Sequence, residues 1–230
     1  MTRPGRLLAL EGIDGSGKST QARALADALG ARLTHEPGAT ALGAALRRLL
    51  LSPDAPPVTL RAEALLMAAD RAEHIALVVA PALAAGEWVV SDRFSGSTLA
   101  YQGYGRGLGT AGLRQVVDWA TDGLAPDLSI LVDVPVAVSQ ERLAGTAPDR
   151  LERLGPGFAQ LVRNGFVALA EADPAHWVVV DGTTEPSALT ARILAIVRQR
   201  LGDPAGSAGS AGSAGSDTGP ATGSAPESGS

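Results

Sequence analysis

Residues 10–20 read LEGIDGSGKST and sit directly behind the apolar run Leu7-Leu8-Ala9-Leu10. The order is strand, glycine-rich turn, helix start, with the spacing G-x-x-x-x-G-K-S from Gly12 to Ser19. Glycines in such a turn let backbone N–H groups point inward around phosphate oxygens, and the helix behind them adds the positive end of its dipole. Gly12, Ile13, Asp14, Gly15, Ser16, Gly17, Lys18, Ser19 and Thr20 are therefore expected to wrap the phosphates of a nucleotide. Lys18 reaches the β and γ phosphates in this reading, and the Ser19 hydroxyl ligates Mg²⁺. A dinucleotide site needs G-x-G-x-x-G, whereas the glycines here fall at 12, 15 and 17.

Composition narrows what the clamp serves. The chain has 18 arginines and one lysine, and that lysine is Lys18. A compact ammonium fits between phosphates as a point charge where a planar guanidinium is too bulky. With no second lysine, the N/T-K-x-D loop of a guanine-reading switch is missing. Residues 1–202 hold 19 basic and 21 acidic side chains, so the chain offers no electrostatic footprint for nucleic acid. An anionic ligand must then be gripped by local arginines. The absence of cysteine fits a cytoplasmic protein. The apolar stretch Ile75–Ala85 is too short to span a bilayer and contains Pro81, so no membrane partner is expected.

Short apolar runs bounded by turn residues mark strands at Leu7–Glu11, Trp88–Asp92, Ser129–Val134 and Trp177–Asp181, with Arg32–His35 a weaker fifth. Helical patterns separate them over Lys18–Leu29, Ala41–Leu51, Leu60–Ala85, Ala111–Asp122, Val136–Ala144, Phe158–Ala172 and Ser187–Leu201. Strands alternating with helices predict an α/β fold: a five-stranded parallel sheet covered by helices on both faces. Ligands of such sheets gather at the carboxyl ends of strands, which directs attention to Glu11, Asp92, Asp133 and Asp181. Residues 1–202 are expected to form this domain. Residues 203–230, built largely of Gly, Ser, Ala and Pro, are expected to be a disordered tail.

Further candidates lie outside the clamp. Asp92 closes an apolar strand in the manner of a Walker-B carboxylate and is a candidate Mg²⁺ ligand, with Asp133 as its rival. Arg93 leaves the same edge and can bridge donor and acceptor phosphates, or simply pair with Asp92 on the surface. Met67, Arg71 and His74 share one helix face. An arginine on an apolar face needs an anionic or carbonyl partner, either a substrate or a carboxylate such as Glu63, and His74 reads as structural. Arg150 and Arg153 can close over a nucleotide as a lid or lie on a solvated face.

Together, LEGIDGSGKST, EPGAT (36–40), DRAEH (70–74), DRF (92–94), STLAYQG (97–103), PDLSILVDV (126–134) and DRLE (149–152) resemble the thymidylate kinases, P-loop nucleoside monophosphate kinases, from about Leu7 to Leu201. DRF followed by STLAYQG at this spacing is the most specific element. The resemblance implies phosphorylation of dTMP to dTDP with ATP and Mg²⁺ by a cytoplasmic homodimer with a short lid. It assigns catalysis to Lys18, Arg93, Asp14 and Arg150, and the acceptor site to Glu36, Met67, Arg71, Arg93, Ser97, Tyr101 and Gln102. Tyr101 is expected to crowd the sugar 2′ position. Three departures stand out: His35 and Ala39 replace the usual Arg and Gly around EPGAT, Met67 replaces a base-stacking Phe, and the lid segment 142–150 carries few arginines. The rival readings are a weakened nucleotide sensor or a kinase for another small nucleotide or deoxynucleoside.

Overall fold

The computed structural model describes residues 5–204. Its central strand, β1 (Leu7–Glu11), is buried at every position, which explains why it reads as a continuous apolar run rather than an alternating one. Four more strands flank it: β2 (Arg32–His35), β3 (Val89–Asp92), β4 (Leu128–Asp133) and β5 (Trp177–Asp181). The order is β2-β3-β1-β4-β5 and every pairing is parallel. Alternate side chains feed two layers. Leu8 and Leu10 pack with Val90, Ile130 and Val132 against α1 (Lys18–Leu29), through Ala22 and Leu25, and against the C-terminal helix Pro186–Leu201, through Leu189 and Ile193. Leu7 and Ala9 face the other way, onto Ile75, Val79 and Phe94.

Register carries the strand ends to one edge. Leu10 lies opposite Asp92, His35 opposite Asp92, Glu11 opposite Leu131 and Asp133 opposite Asp181. The polar residues singled out as strand-closing thus do share a single rim. The expected elements are present, most within one or two residues of their predicted bounds. Two differ in kind.

The single helix predicted over Leu60–Ala85 is three consecutive segments. They are α3 (Leu60–His74), a π-helical stretch Ile75–Val79, and α4 (Ala80–Ala84). Pro81 lacks the N–H that an α-helix would direct at residue 77, and the ladder widens just before it, with Ala80 N–H donating to Ile75 O. No element was expected over 95–105, yet a short helix α5 (Ser95–Thr98) runs into a π-helical stretch Leu99–Gly105. Gly96, Gly103 and Gly105 argue against helix by propensity. Packing overrides it: the π stretch lies on a long helix, Gly155–Ala172, and a Cβ on Gly105 would come 2.7 Å from Phe158 and 2.8 Å from Val162 of that helix. The remaining helices, α2 (Ala41–Leu51), α6 (Thr110–Thr121), α7 (Val136–Leu143), α8 (Gly155–Ala172) and α9 (Pro186–Leu201), follow the pattern read from the sequence. Between α7 and α8 the lid segment holds one 3₁₀ turn, Glu152–Leu154. The proposed tail beyond Pro204 lies outside the described residues.

The contact between α8 and the π stretch has a direct test. A Cβ at Gly165 would sit 2.7–2.8 Å from three atoms of Tyr104. Gly165→Ala is expected to lower stability by about 1–3 kcal/mol through overpacking, despite alanine's better helix propensity, as measured by urea unfolding. A neutral or stabilising result would show that α8 does not hold this segment.

Candidate active site

The loop after β1 turns so tightly that side chains are excluded from it. Gly12 has φ 147 and Gly15 φ 74, and a Cβ on either would approach a carbonyl oxygen to 2.6 Å, that of Val132 or of Ser139. The Ser139 hydroxyl of α7 donates to Asp14 O at 2.6 Å, and Arg142 of the same helix donates to the carbonyls of Gly15, Ser16 and Gly182. Lys18 is buried and rests on Ile13 O and on Asp14 Oδ1 at 3.3 Å. Ser19 and Thr20 are exposed at the start of α1.

Arg93, the first residue past β3, has φ 75, a left-handed backbone that a branched or long side chain adopts at a cost of roughly 1–3 kcal/mol. Its own groups are held on every side. Its N–H donates to Leu10 O at 2.9 Å, and its carbonyl accepts from the Ser91 hydroxyl at 2.7 Å. Nη1 donates to Gly12 O and Ser97 Oγ, and Nη2 to Asp14 Oδ1 at 2.6 Å and Tyr101 Oη at 3.1 Å. The Tyr101 hydroxyl in turn donates to Asp14 Oδ2 at 2.7 Å. Burial alone would raise the Asp14 carboxyl, but Arg93 and Lys18 outweigh it and hold the group well below the usual carboxylate range. Lys18 is lowered by burial and by the neighbouring Arg93 charge, while burial pushes the Tyr101 phenol well up.

Beneath this cluster lies Glu11, fully buried. It accepts from the N–H groups of Phe94 and Ser97 and, at 2.6 Å, from the Ser97 hydroxyl. It thereby fixes the start of α5 and the hydroxyl on which Arg93 rests. Burial pushes its carboxyl up to about 7, against the opposing pull of Ser97, Arg93, the Phe94 amide and Arg71.

Beside the loop opens a cavity, and among its lining residues are Asp14, Glu36, Met67, Arg71, Arg93, Ser97, Tyr101 and Gln102. The structure thus brings the whole expected acceptor set to one place. Glu36, which precedes a cis Pro37, accepts from Arg71 Nε and His74 Nδ1, both at 2.8 Å. Arg71 further donates to Thr98 Oγ1 and Phe94 O. Its carboxylate partner is therefore Glu36; the alternative partner, Glu63, binds Gln102, Arg106 and Arg150 instead. His74 is enclosed between Glu36 and Thr34.

Arg150 does not stand at the phosphate loop. Its Nη2 meets Glu63 at 3.2 Å, Nη1 meets Pro56 O, and Nε is buried without a partner. Its backbone N–H donates to Leu51 O, and its neighbours Asp149 and Leu151 line the cavity. Besides that of Arg93, the loop is met by the guanidinium of Arg142, which the sequence reading did not single out. The two candidate metal carboxylates also separate. Asp133 is committed to a bidentate pair with Arg163 at 2.7 and 2.8 Å. Asp92 has a buried Oδ1 with no partner and lies close enough to act electrostatically on Lys18 and Arg93.

A phosphate-shaped loop with a single lysine, set at the carboxyl rim of a parallel sheet, places this molecule in the class of P-loop NTPase-type α/β proteins. A family model described as thymidylate kinase matches residues 10–193. A thymidylate kinase of Desulforudis audaxviator is 47% identical over 206 residues, covering 85% of this chain and 93% of the relative. One from Synechococcus sp. strain RCC307 is 47% identical over 209 residues, covering 86% and 97%, and one from Cupriavidus necator is 48% identical over 187 residues, covering 78% and 91%. The chain belongs to the thymidylate kinase family.

The raised Glu11 carboxyl has a thermodynamic signature. Its folded pKa of about 7 lies above the unfolded 4.5, so the folded state holds the proton more tightly and loses stability as pH rises from 4.5 to 7. Glu11→Gln removes that loss. Denaturant titrations from pH 4.5 to 8 should show the variant gaining on the wild type by up to ~3 kcal/mol as pH rises, whereas parallel curves would contradict the assignment.

Proposed function

We infer that this protein transfers the γ-phosphoryl group of ATP to dTMP, forming dTDP and ADP in the synthesis of dTTP. The observation that carries the reading is Arg93. It is held by the loop that would bind the donor, through Gly12 O and Asp14, and it also lines the cavity that would take the acceptor. An arginine so placed suits an acceptor that already bears a phosphate.

On this reading Gly12–Thr20 bind the ATP phosphates, with Lys18 moving its ammonium from Asp14 onto them. Arg93 and Asp14 set the acceptor phosphate in line with the donor. Glu36 and Ser97 keep Arg71 and Arg93 aimed. Arg71 uses three of its five N–H bonds on Glu36, Thr98 and Phe94, leaving two for a base carbonyl. Gln102 lies beside the base as an acceptor for the ring N3–H, and Met67 packs on the ring face through a polarisable thioether. Tyr101, buried and tied to Asp14, closes the space around the sugar 2′ carbon. Arg142, already on the loop carbonyls, is a further cation available to the transferring group, whereas Arg150 is held by Glu63.

Mg²⁺ fits the residues present. The unpartnered Oδ1 of Asp92 and the exposed hydroxyl of Ser19 are hard oxygen donors, and this ion is commonly held by one or two protein oxygens together with waters and substrate phosphates. When bound with ATP it supplies neutralisation of the charge on the β and γ oxygens. We further propose that residues 1–202 act as one domain in the cytoplasm, without nucleic-acid or membrane partners. No helix among the described residues is long and apolar enough to cross a membrane. The observations that favour a homodimer are two exposed apolar side chains, Leu65 of α3 at 57% and Trp119 of α6 at 86% exposure.

The test is ADP release with ATP and Mg²⁺, comparing dTMP, dUMP, ribothymidine monophosphate and thymidine. Turnover with dTMP, at least about tenfold less with the ribose form and none with thymidine are expected. Lys18→Ala should lower kcat by about 10³-fold or more. Tight dTMP binding with flat traces throughout would refute the reading and leave a nucleotide sensor.

A further inference from the structure

Glu63, on α3, is 1% exposed and collects four donated hydrogen bonds. They come from Gln102 Nε2 at 3.0 Å, Arg106 Nε at 3.1 Å and Nη2 at 2.7 Å, and Arg150 Nη2 at 3.2 Å. None of the sequence motifs had assigned it a role beyond a possible pairing with Arg71, a bond the structure does not contain.

The arrangement has a chemical consequence for Gln102. A primary amide carries a donor end and an acceptor end of nearly equal shape, so its orientation must be imposed from outside. An ionised carboxylate only accepts. Gln102 must therefore turn its –NH₂ to Glu63, and its Oε1, which has no protein partner among the described residues, is left on the cavity side. Arg106 and Arg150 engage the same carboxylate from two other segments, one closing the π stretch and one in the lid, so Glu63 cannot rotate to release the amide. Arg106 is itself anchored over the Phe158 ring, 5.5 Å from its centroid.

We propose that Glu63 is a specificity-determining positioning residue: by fixing the Gln102 amide with its carbonyl toward the cavity, it makes the site accept a pyrimidine that donates from ring N3. The proposal rests on the dTMP kinase reading above. Thymine and uracil offer N3–H as a donor and O4 as an acceptor, matching Gln102 Oε1 and the spare N–H groups of Arg71. Cytosine offers an acceptor at N3 and an amine at C4, so both contacts fail and buried polar groups are left unpaired. If the amide turned over, its –NH₂ would suit cytosine N3, and the discrimination would shrink.

The experiment measures kcat and KM with ATP for dTMP and dCMP in four proteins: wild type, Glu63→Gln, Glu63→Asp, and the exchange Glu63→Gln with Gln102→Glu. Glu63→Gln can present either end of its own amide and should lower the dTMP-to-dCMP ratio of kcat/KM by at least about tenfold, mainly through KM for dTMP. Glu63→Asp keeps the counter-charge for the two arginines but draws back from Gln102. It should lower the same ratio, and it carries the test if Glu63→Gln does not fold. The exchange variant again sets an obligate acceptor beside the base, now the carboxylate introduced at position 102. It should recover most of the ratio, which a purely structural role of Glu63 would not. A ratio unchanged in both single variants, or one lost equally in the single and exchange variants, overturns the proposal. Failure of the wild type to phosphorylate dTMP would instead overturn the underlying reading, and this assignment with it.

Discussion

The left-handed backbone of Arg93 is the constraint on which the site depends. A residue with φ 75 directly after a strand sends the chain off the sheet edge at an angle that no ordinary strand exit provides, and it delivers the guanidinium back toward the loop after β1. The cost of that conformation is offset locally by the bonds to Leu10 O and from Ser91 Oγ, and by the carboxylate of Glu11, which holds the next turn through Phe94 and Ser97. Glu11 in turn sits at the end of the central strand, buried because parallel neighbours and two helical layers surround it. A change in sheet register would therefore reach Arg93 through the bonds that Leu10 and Glu11 make.

Charge is arranged with the same economy. Asp14 holds Lys18, Arg93 and Tyr101 at once, so one carboxylate positions both cations and offsets part of their mutual repulsion. Across the cavity, Glu36 and Glu63 perform a comparable duty. Glu36 orients Arg71 with the help of a buried histidine, and Glu63 collects Gln102 and two arginines. The arginines around the cavity thus have their directions set by buried carboxylates one layer deeper.

That second layer marks the limit of what the sequence disclosed. The loop, the strand ends and the parallel sheet follow from local spacing: glycines at 12, 15 and 17 and apolar runs ending in Glu11, Asp92, Asp133 and Asp181. Arg71, Tyr101 and Gln102, which the family resemblance assigns to the acceptor site, line one cavity. The partners that aim them were not legible, because Glu11–Ser97, Glu36–Arg71 and Glu63–Arg106 join residues 86, 35 and 43 positions apart with no periodic signal. The helix over 95–105 was hidden for a related reason: its glycines oppose helix locally, and the close approach of Trp177 at Gly96 and of α8 at Gly105 appears only in the fold. Arg150 was read toward the phosphates on account of its place in the lid, and Glu63, weighed in the sequence only as a partner for Arg71, is the carboxylate that holds it. Pro81 gave a visible warning in an otherwise helical stretch, and the π-helical turn before it is the result.

The central claim is that Arg93, held in this conformation, is what makes the cavity a site for a phosphorylated acceptor. It is tested most directly by calorimetric titration of dTMP and of thymidine into the wild type and into Arg93→Ala. The account predicts that the wild type binds dTMP at least about tenfold more tightly than thymidine, and that Arg93→Ala loses this preference while its thymidine affinity stays near that of the wild type. Equal affinities in the wild type, or a phosphate preference that survives in Arg93→Ala, would contradict it.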